Sequence, residues 1–119
     1  MTDHHERAKT PEDLTRLYVE RANAGDAEGM AALYEPDAVV AYPTGELTIG
    51  RAALQAVFAD LVRQMPSRPP EAPLTTLVAG DLALTSTPAA GGGGVRAQVA
   101  RRPPDGTWLR ILDRPQFES

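Results

Sequence analysis

The chain is expected to fold as one α+β domain, with a curved, mostly antiparallel sheet wrapped on one long helix. Three observations carry this. Apolar residues recur at helical spacing in the first 65 residues and nowhere later. From residue 74 onward the chain breaks into short apolar runs separated by Gly, Pro and Asp turns. There is no internal repeat or second block of different composition, and 119 residues suit one domain with a core of its own. Helices first and hairpin-linked strands after is the α+β order.

The elements follow in turn. Residues 1–9 are polar and read as a flexible tail, leaving 10–119 as the domain. Thr10 is placed to cap a helix that opens on Pro11, Glu12 and Asp13, and Leu14, Leu17, Tyr18 and Ala22 share one face of it. The "NAGD" of residues 23–26 ends that helix: Gly25 supplies a left-handed turn and Asp26 caps the next helix. That second helix is short, carries Met30, Leu33 and Tyr34 on one side, and is stopped by Pro36-Asp37. "AVVAY" (38–42) reads as a strand, "PTGE" (43–46) as a turn, and 47–50 as a brief extended piece. The third helix is the plainest element, with Leu54, Val57, Phe58, Leu61, Val62 and Met65 in an i, i+3, i+4 pattern. The prolines of "PSRPPEAP" (66–73) make a stiff connector. Two strands within 74–87 meet at the Gly80-Asp81 turn, and "GGGG" (91–94) is a hairpin loop. "VRAQVARR" (95–102) and "TWLRILDRP" (107–115) are the last two strands, joined by the "PPDG" turn.

Composition narrows the function classes. There is no cysteine, which excludes disulfides and thiolate metal sites. A formal charge of −4 argues against nucleic acid as the main partner, because phosphate binding needs a basic face. No apolar run approaches the roughly 20 residues that span a bilayer, and the polar start "MTDHHERAKT" lacks the apolar core of a signal peptide. No membrane partner and a cytoplasmic location are the expectation. Aromatic residues make up 5% of the chain and alanine is abundant, so the elements either pack closely or leave a cavity. His4 and His5 lie in the tail without an acid cluster, which makes a poor metal site, and no metal or other cofactor is expected. The glycine run has no following Lys-Ser/Thr and opens no helix, so it is not a phosphate loop.

The segments "YVERANAGDAEGMAALYEPDAVV" (18–40), "GRAALQAVFADL" (50–61) and "ARRPPDGTWLRILDRPQF" (100–117) together resemble the nuclear transport factor 2-like superfamily, and within it the SnoaL-like and ketosteroid-isomerase-like proteins. The resemblance implies a cone-shaped sheet closed on one side by the helices, a pocket for a small molecule, and a homodimer formed through the outer sheet face. In ketosteroid isomerases an aspartate moves the proton while a tyrosine and a protonated aspartate hold the oxyanion. The resemblance places that tyrosine at Tyr18, the base at Tyr42 and the protonated acid at or near Gln98. A tyrosine, with an ordinary pKa near 10, is a poor substitute for a carboxylate base, so steroid isomerisation by the aspartate route is not expected. Gln98 keeps the capacity to donate to an oxyanion.

Asp113, in "RILDRP", is the other candidate acid–base group. By the period of two it shares a face with Ile111, and burial there would raise its pKa toward neutrality. The competing reading pairs it with Arg110 or Arg114 at the strand end, or has it cap a turn. Phe58, Val62, Trp108 and Ile111 are candidates for the pocket lining, with core packing the competing reading for Trp108. Tyr34 reads as core, and the late arginines read as a solvated sheet face or as a site for an anionic ligand. Two functions follow. One is a cofactor-independent isomerase, cyclase or dehydratase acting on a small apolar or carbonyl-containing substrate. The other is a non-catalytic ligand-binding or dimeric interaction protein of the same fold.

Overall fold

The computed structural model describes residues 6–43, 45–64, 72–88 and 95–115. The histidine pair, Met65, most of the proline-rich connector and the glycine run lie outside the described residues. Three helices and six strands follow in the order α1 (Pro11–Asn23), α2 (Ala27–Ala31), β1 (Tyr34–Val40), β2 (Thr48–Ile49), α3 (Arg51–Gln64), β3 (Leu77–Ala79), β4 (Leu82–Pro88), β5 (Val95–Arg101) and β6 (Leu109–Arg114). The strands form one curved, unclosed sheet in the order β2-β1-β6-β5-β4-β3. All neighbours are antiparallel except β1 and β6, which the crossover through α3 and the β3–β5 meander brings together in parallel.

The first helix starts as its sequence dictates. The Asp13 N–H donates to Thr10 Oγ1 and the Asp13 carboxylate accepts from the Thr10 N–H, each at 3.2 Å, which closes a capping box. Thr10→Ala is therefore expected to lower the unfolding free energy by about 1 kcal/mol, read as a shifted urea midpoint with an unchanged slope. Gly25 takes φ +71°, and the Asp26 side chain accepts from the Gly29 N–H to start α2. Residues 6–9 are held against the body instead of forming a loose tail. Ala8 is buried, its carbonyl accepts from the Trp108 N–H at 2.9 Å, and Glu6 pairs with Arg16.

The second helix is shorter than its pattern suggests. It ends at Ala31, so Tyr34 opens β1, and Pro36-Asp37 lie inside that strand instead of stopping a helix. The register explains how a proline is accommodated. Tyr34 pairs with Arg110 and Val39 with Leu112, so four residues of β1 lie opposite one of β6 between the two pairings, and Pro36 sits in that irregular stretch. The strand also ends at Val40, which leaves Ala41 and Tyr42 beyond it.

The helices cover one face of the sheet. Leu14 and Leu17 of α1, Met30 of α2, and Leu54 and Phe58 of α3 pack against Tyr34, Ala38, Val40, Ala83, Ala100 and Trp108. Among the described residues no helix covers the opposite face. An apolar row crosses all six strands there: Ile49, Val39, Leu112, Val99, Leu84 and Leu77 are successive cross-strand partners. Ile49 is 62% and Leu112 50% exposed. A concavity of about 300 Å³ is walled by Leu47, Val39, Leu112, Val99 and Leu84 of this face, and Gln98, Asp113 and Arg114 also line it. No helix among the described residues is long and apolar enough to cross a membrane.

Candidate functional site

The inner face of the sheet carries a polar row beneath the helices. Thr48, Val40, Asp113, Gln98 and Thr85 are cross-strand partners in sequence, and all five are buried. A buried polar group is costly unless it is bonded. Thr85 Oγ1 donates to Gln98 Oε1 at 2.8 Å, which commits the amide oxygen and leaves the amide nitrogen as Gln98's remaining polar atom. On the other side of Asp113 stand Tyr34 and Arg110. The Tyr34 hydroxyl donates to Asp113 Oδ2 at 2.5 Å, and Arg110 Nη1 donates to the same hydroxyl at 3.2 Å. Arg110 Nη1 lies 3.9 Å from Asp113 Oδ2, with both side chains almost fully buried. Among the described residues Asp113 Oδ1 has no hydrogen-bond partner.

A β-bulge makes this cluster. Val99 pairs with Leu112 and Ala100 with Arg110, so Ile111 is the extra residue on β6. Strict alternation from Ile111, the basis for expecting its direction to report that of Asp113, is broken at this point. Leu112 turns outward and Asp113 inward, and the bulge lets Arg110, three residues earlier, reach the same interior. Asp113 is 6% and Arg110 3% exposed. Arg110 is thus no part of a solvated face: its guanidinium lies 5.2 Å from the Tyr18 ring centre and 5.7 Å from that of Tyr34. Phe58 supports both rings, at 6.0 Å edge-on to Tyr18 and 5.6 Å from Tyr34. The Tyr34 backbone is fixed too, since its carbonyl accepts from Arg51 Nε at 3.0 Å and Nη2 at 2.5 Å.

The electrostatics of the carboxyl follow from this setting. Burial, the largest influence, disfavours the charged form and holds the Asp113 pKa above its usual value of 3.8. The Arg110 charge, the Tyr34 hydroxyl, the Gln98 amide and the charge of Arg96 pull the other way without cancelling it. The Tyr34 hydroxyl is pushed well up by burial and by the neighbouring Asp113, so it stays protonated and acts as a donor.

Of the expected site residues, the fold brings Asp113 and Gln98 side by side, and it places Tyr18 and Phe58 around Arg110. Tyr42 and Val62 are half-buried at the edge of the core, and the Tyr42 carbonyl accepts from Thr48 Oγ1 at 2.6 Å. Ile111 is half-buried in the bulge. Trp108 is buried under Arg102, whose guanidinium lies 5.4 Å from the ring centre, and it belongs to the core cluster. Sequence reasoning passed over Tyr34 and Arg110 as site members. Arg110 had a legible signal, because it stands two residues after Trp108 in an apolar run, and alternation puts both on one face. Among the described residues no group of three His, Asp or Glu gathers as a metal site.

The geometry is a buried carboxyl with one oxygen anchored and the other without a hydrogen-bond partner among the described residues, on the inner face of a curved sheet. Known proteins share the frame. The SnoaL-like domain model matches residues 15–113. Epoxide hydrolase LasB of Streptomyces lasalocidi is 44% identical over 57 residues, a stretch that is 44% of this chain and 20% of LasB. The chain thus matches only a fifth of that curated relative's length. An NTF2-like protein with a cystatin-like fold from Novosphingobium aromaticivorans superposes with a TM-score of 0.66 at 24% identity, over 86% of this chain and 75% of that one. A ketosteroid isomerase-like protein from Erwinia carotovora atroseptica gives 0.67 at 18% identity, over 87% of this chain and 89% of that one. The chain belongs to the SnoaL-like domain family, on the NTF2-like fold.

Proposed function

We propose that this SnoaL-like chain is a cofactor-independent enzyme that moves protons at a small, largely apolar substrate carrying one reactive oxygen function. One observation supports the reading above the others: Asp113 is buried on the inner face with Oδ1 unpartnered among the described residues. A buried carboxyl whose pKa is raised, with one oxygen unpartnered, suits proton exchange. Isomerisation, cyclisation and dehydration each need such a group beside a carbonyl or hydroxyl oxygen. Epoxide opening needs the same service, a proton for the ring oxygen as its C–O bond breaks, and the similarity to LasB adds it to the set. In this reading Asp113 is the acid–base group. Gln98 donates to the developing oxyanion, Tyr18 and Tyr42 orient the oxygen, and Phe58, Val62 and Ile111 face the apolar body of the substrate. The test is product formation by the purified protein on a panel of small epoxides, β,γ-enones and β-hydroxy ketones, beside Asp113→Asn. Turnover of one class that disappears in the variant supports the assignment. Equal turnover in both proteins refutes it.

The proposal includes a homodimer through the outer sheet face. A row without a charged side chain across six strands is self-complementary, so a two-fold axis through it sets the row against itself. Leu112→Glu places a charge at its centre and is expected to halve the mass seen in sedimentation velocity while leaving the circular dichroism spectrum unchanged. A wild-type chain that sediments as a monomer at every concentration contradicts the dimer.

A further inference from the structure

We infer that Tyr34 is a positioning residue for the reaction proposed above: its hydroxyl, gripped between Arg110 and Asp113, fixes Asp113 Oδ2 so that Oδ1 is the oxygen that exchanges the proton. The inference rests on that functional reading for its purpose but on separate geometry for its content. Three contacts define it. The hydroxyl donates its one proton to Oδ2 at 2.5 Å. Its lone pair accepts from Arg110 Nη1 at 3.2 Å. The Tyr34 backbone carbonyl is held by the Arg51 guanidinium at the start of α3, so the residue is tied at its main chain as well as at its hydroxyl. A donor that has committed its only proton cannot also serve a substrate. Tyr34 therefore acts through Asp113 and does not touch the reacting atoms.

The groups that face the carboxyl come from every packed element: Tyr34 from β1, Gln98 and Arg96 from β5, Arg110 from its own strand β6, and Tyr18 of α1 beyond Arg110. With two cations and an amide on its flanks, the carboxyl needs a device that decides which oxygen is presented. The bulge at Ile111 supplies it by bringing Arg110 behind the tyrosine. The same bond favours the charged carboxyl, so Tyr34 also sets the pH at which Asp113 gives up its proton.

Two readouts test this. Tyr34→Phe keeps the ring and removes the clamp. The Asp113 carboxyl, followed by ¹³C NMR, is expected to titrate at higher pH than in the wild type. The acid limb of the pH–rate profile moves with it, and KM changes less than kcat. The second readout needs no variant. In the wild-type protein the Tyr34 hydroxyl proton is expected as a downfield, slowly exchanging resonance whose shift follows the Asp113 titration. An Asp113 midpoint that stays put in Tyr34→Phe, or a hydroxyl resonance indifferent to that titration, overturns the inference while leaving Asp113-dependent turnover intact. Turnover that survives in Asp113→Asn instead overturns the functional reading, and with it the clamp's catalytic purpose, even where the hydroxyl resonance follows Asp113.

Discussion

Replacing Arg110 with methionine is expected to lower the unfolding free energy by about 3–5 kcal/mol at pH 7. The side chain is buried, bonded to the Tyr34 hydroxyl and close to Asp113, and it stacks on two tyrosine rings. Methionine refills much of the volume, so most of the loss comes from stranding a carboxylate in a low-dielectric interior. That origin has a pH signature. Arg110 is the largest of the influences that hold the Asp113 pKa down, so its removal raises a folded-state pKa already above 3.8. A carboxyl whose folded pKa is raised binds its proton more tightly in the folded state, and its contribution to stability falls as pH rises between the unfolded and folded values. The gap between wild type and Arg110→Met should therefore be widest near neutrality and narrow as the pH falls toward 4. Urea titrations of both proteins across that range measure it. A double-mutant cycle gives the same test at one pH. In an Asp113→Asn background the Arg110→Met cost should shrink by about 0.5–3 kcal/mol, because no charge is stranded.

Asp113→Asn is the variant with the largest expected effect on activity. The amide oxygen still accepts from the Tyr34 hydroxyl, so the local geometry survives while the proton-transfer capacity is lost. General acid–base catalysis of this kind contributes about 10²–10⁴-fold, and kcat/KM is expected to fall by that factor with KM little changed. Gln98→Ala tests a different contribution. It removes the amide proposed as the oxyanion donor and leaves the carboxyl, so a smaller loss in kcat is expected, with the pH–rate profile moved only by the loss of an amide near Asp113.

Much of the fold was legible because its signals are local. The capping box at Thr10, the left-handed Gly25, the Asp26 cap and the α3 helix that buries Leu54 and Phe58 each rest on signals within a few residues of chain, and each is found where the pattern places it. The misread region, residues 32–42, depends on pairing between distant segments. Pro36-Asp37 is a sound helix stop as a local signal. Here it sits within a strand because the irregular pairing of β1 with β6 asks for no N–H at that point. Asp113 was legible as a candidate. Its surroundings were not, because the bulge at Ile111 shifts Arg110 into contact by a register change that a period-two pattern cannot show. Tyr34 was read as core, and its ring is core. Its hydroxyl joins the site only because β1 and β6 run parallel, with Tyr34 paired to Arg110 across 76 residues of chain.

The central claim, that Asp113 is a proton-exchanging carboxyl held on the inner face of the sheet, has one direct measurement. A ¹³C NMR titration of the aspartate carboxyls in the wild-type protein, with Asp113 assigned by its absence from the Asp113→Asn spectrum, reads the group itself and needs no substrate. The structure predicts a midpoint above the usual 3.8, because burial outweighs the opposing pull of the Arg110 charge, the Tyr34 hydroxyl and the nearby Gln98 amide. A midpoint at or below 3.8 would show a carboxylate locked in an ordinary ion pair, and would contradict the account.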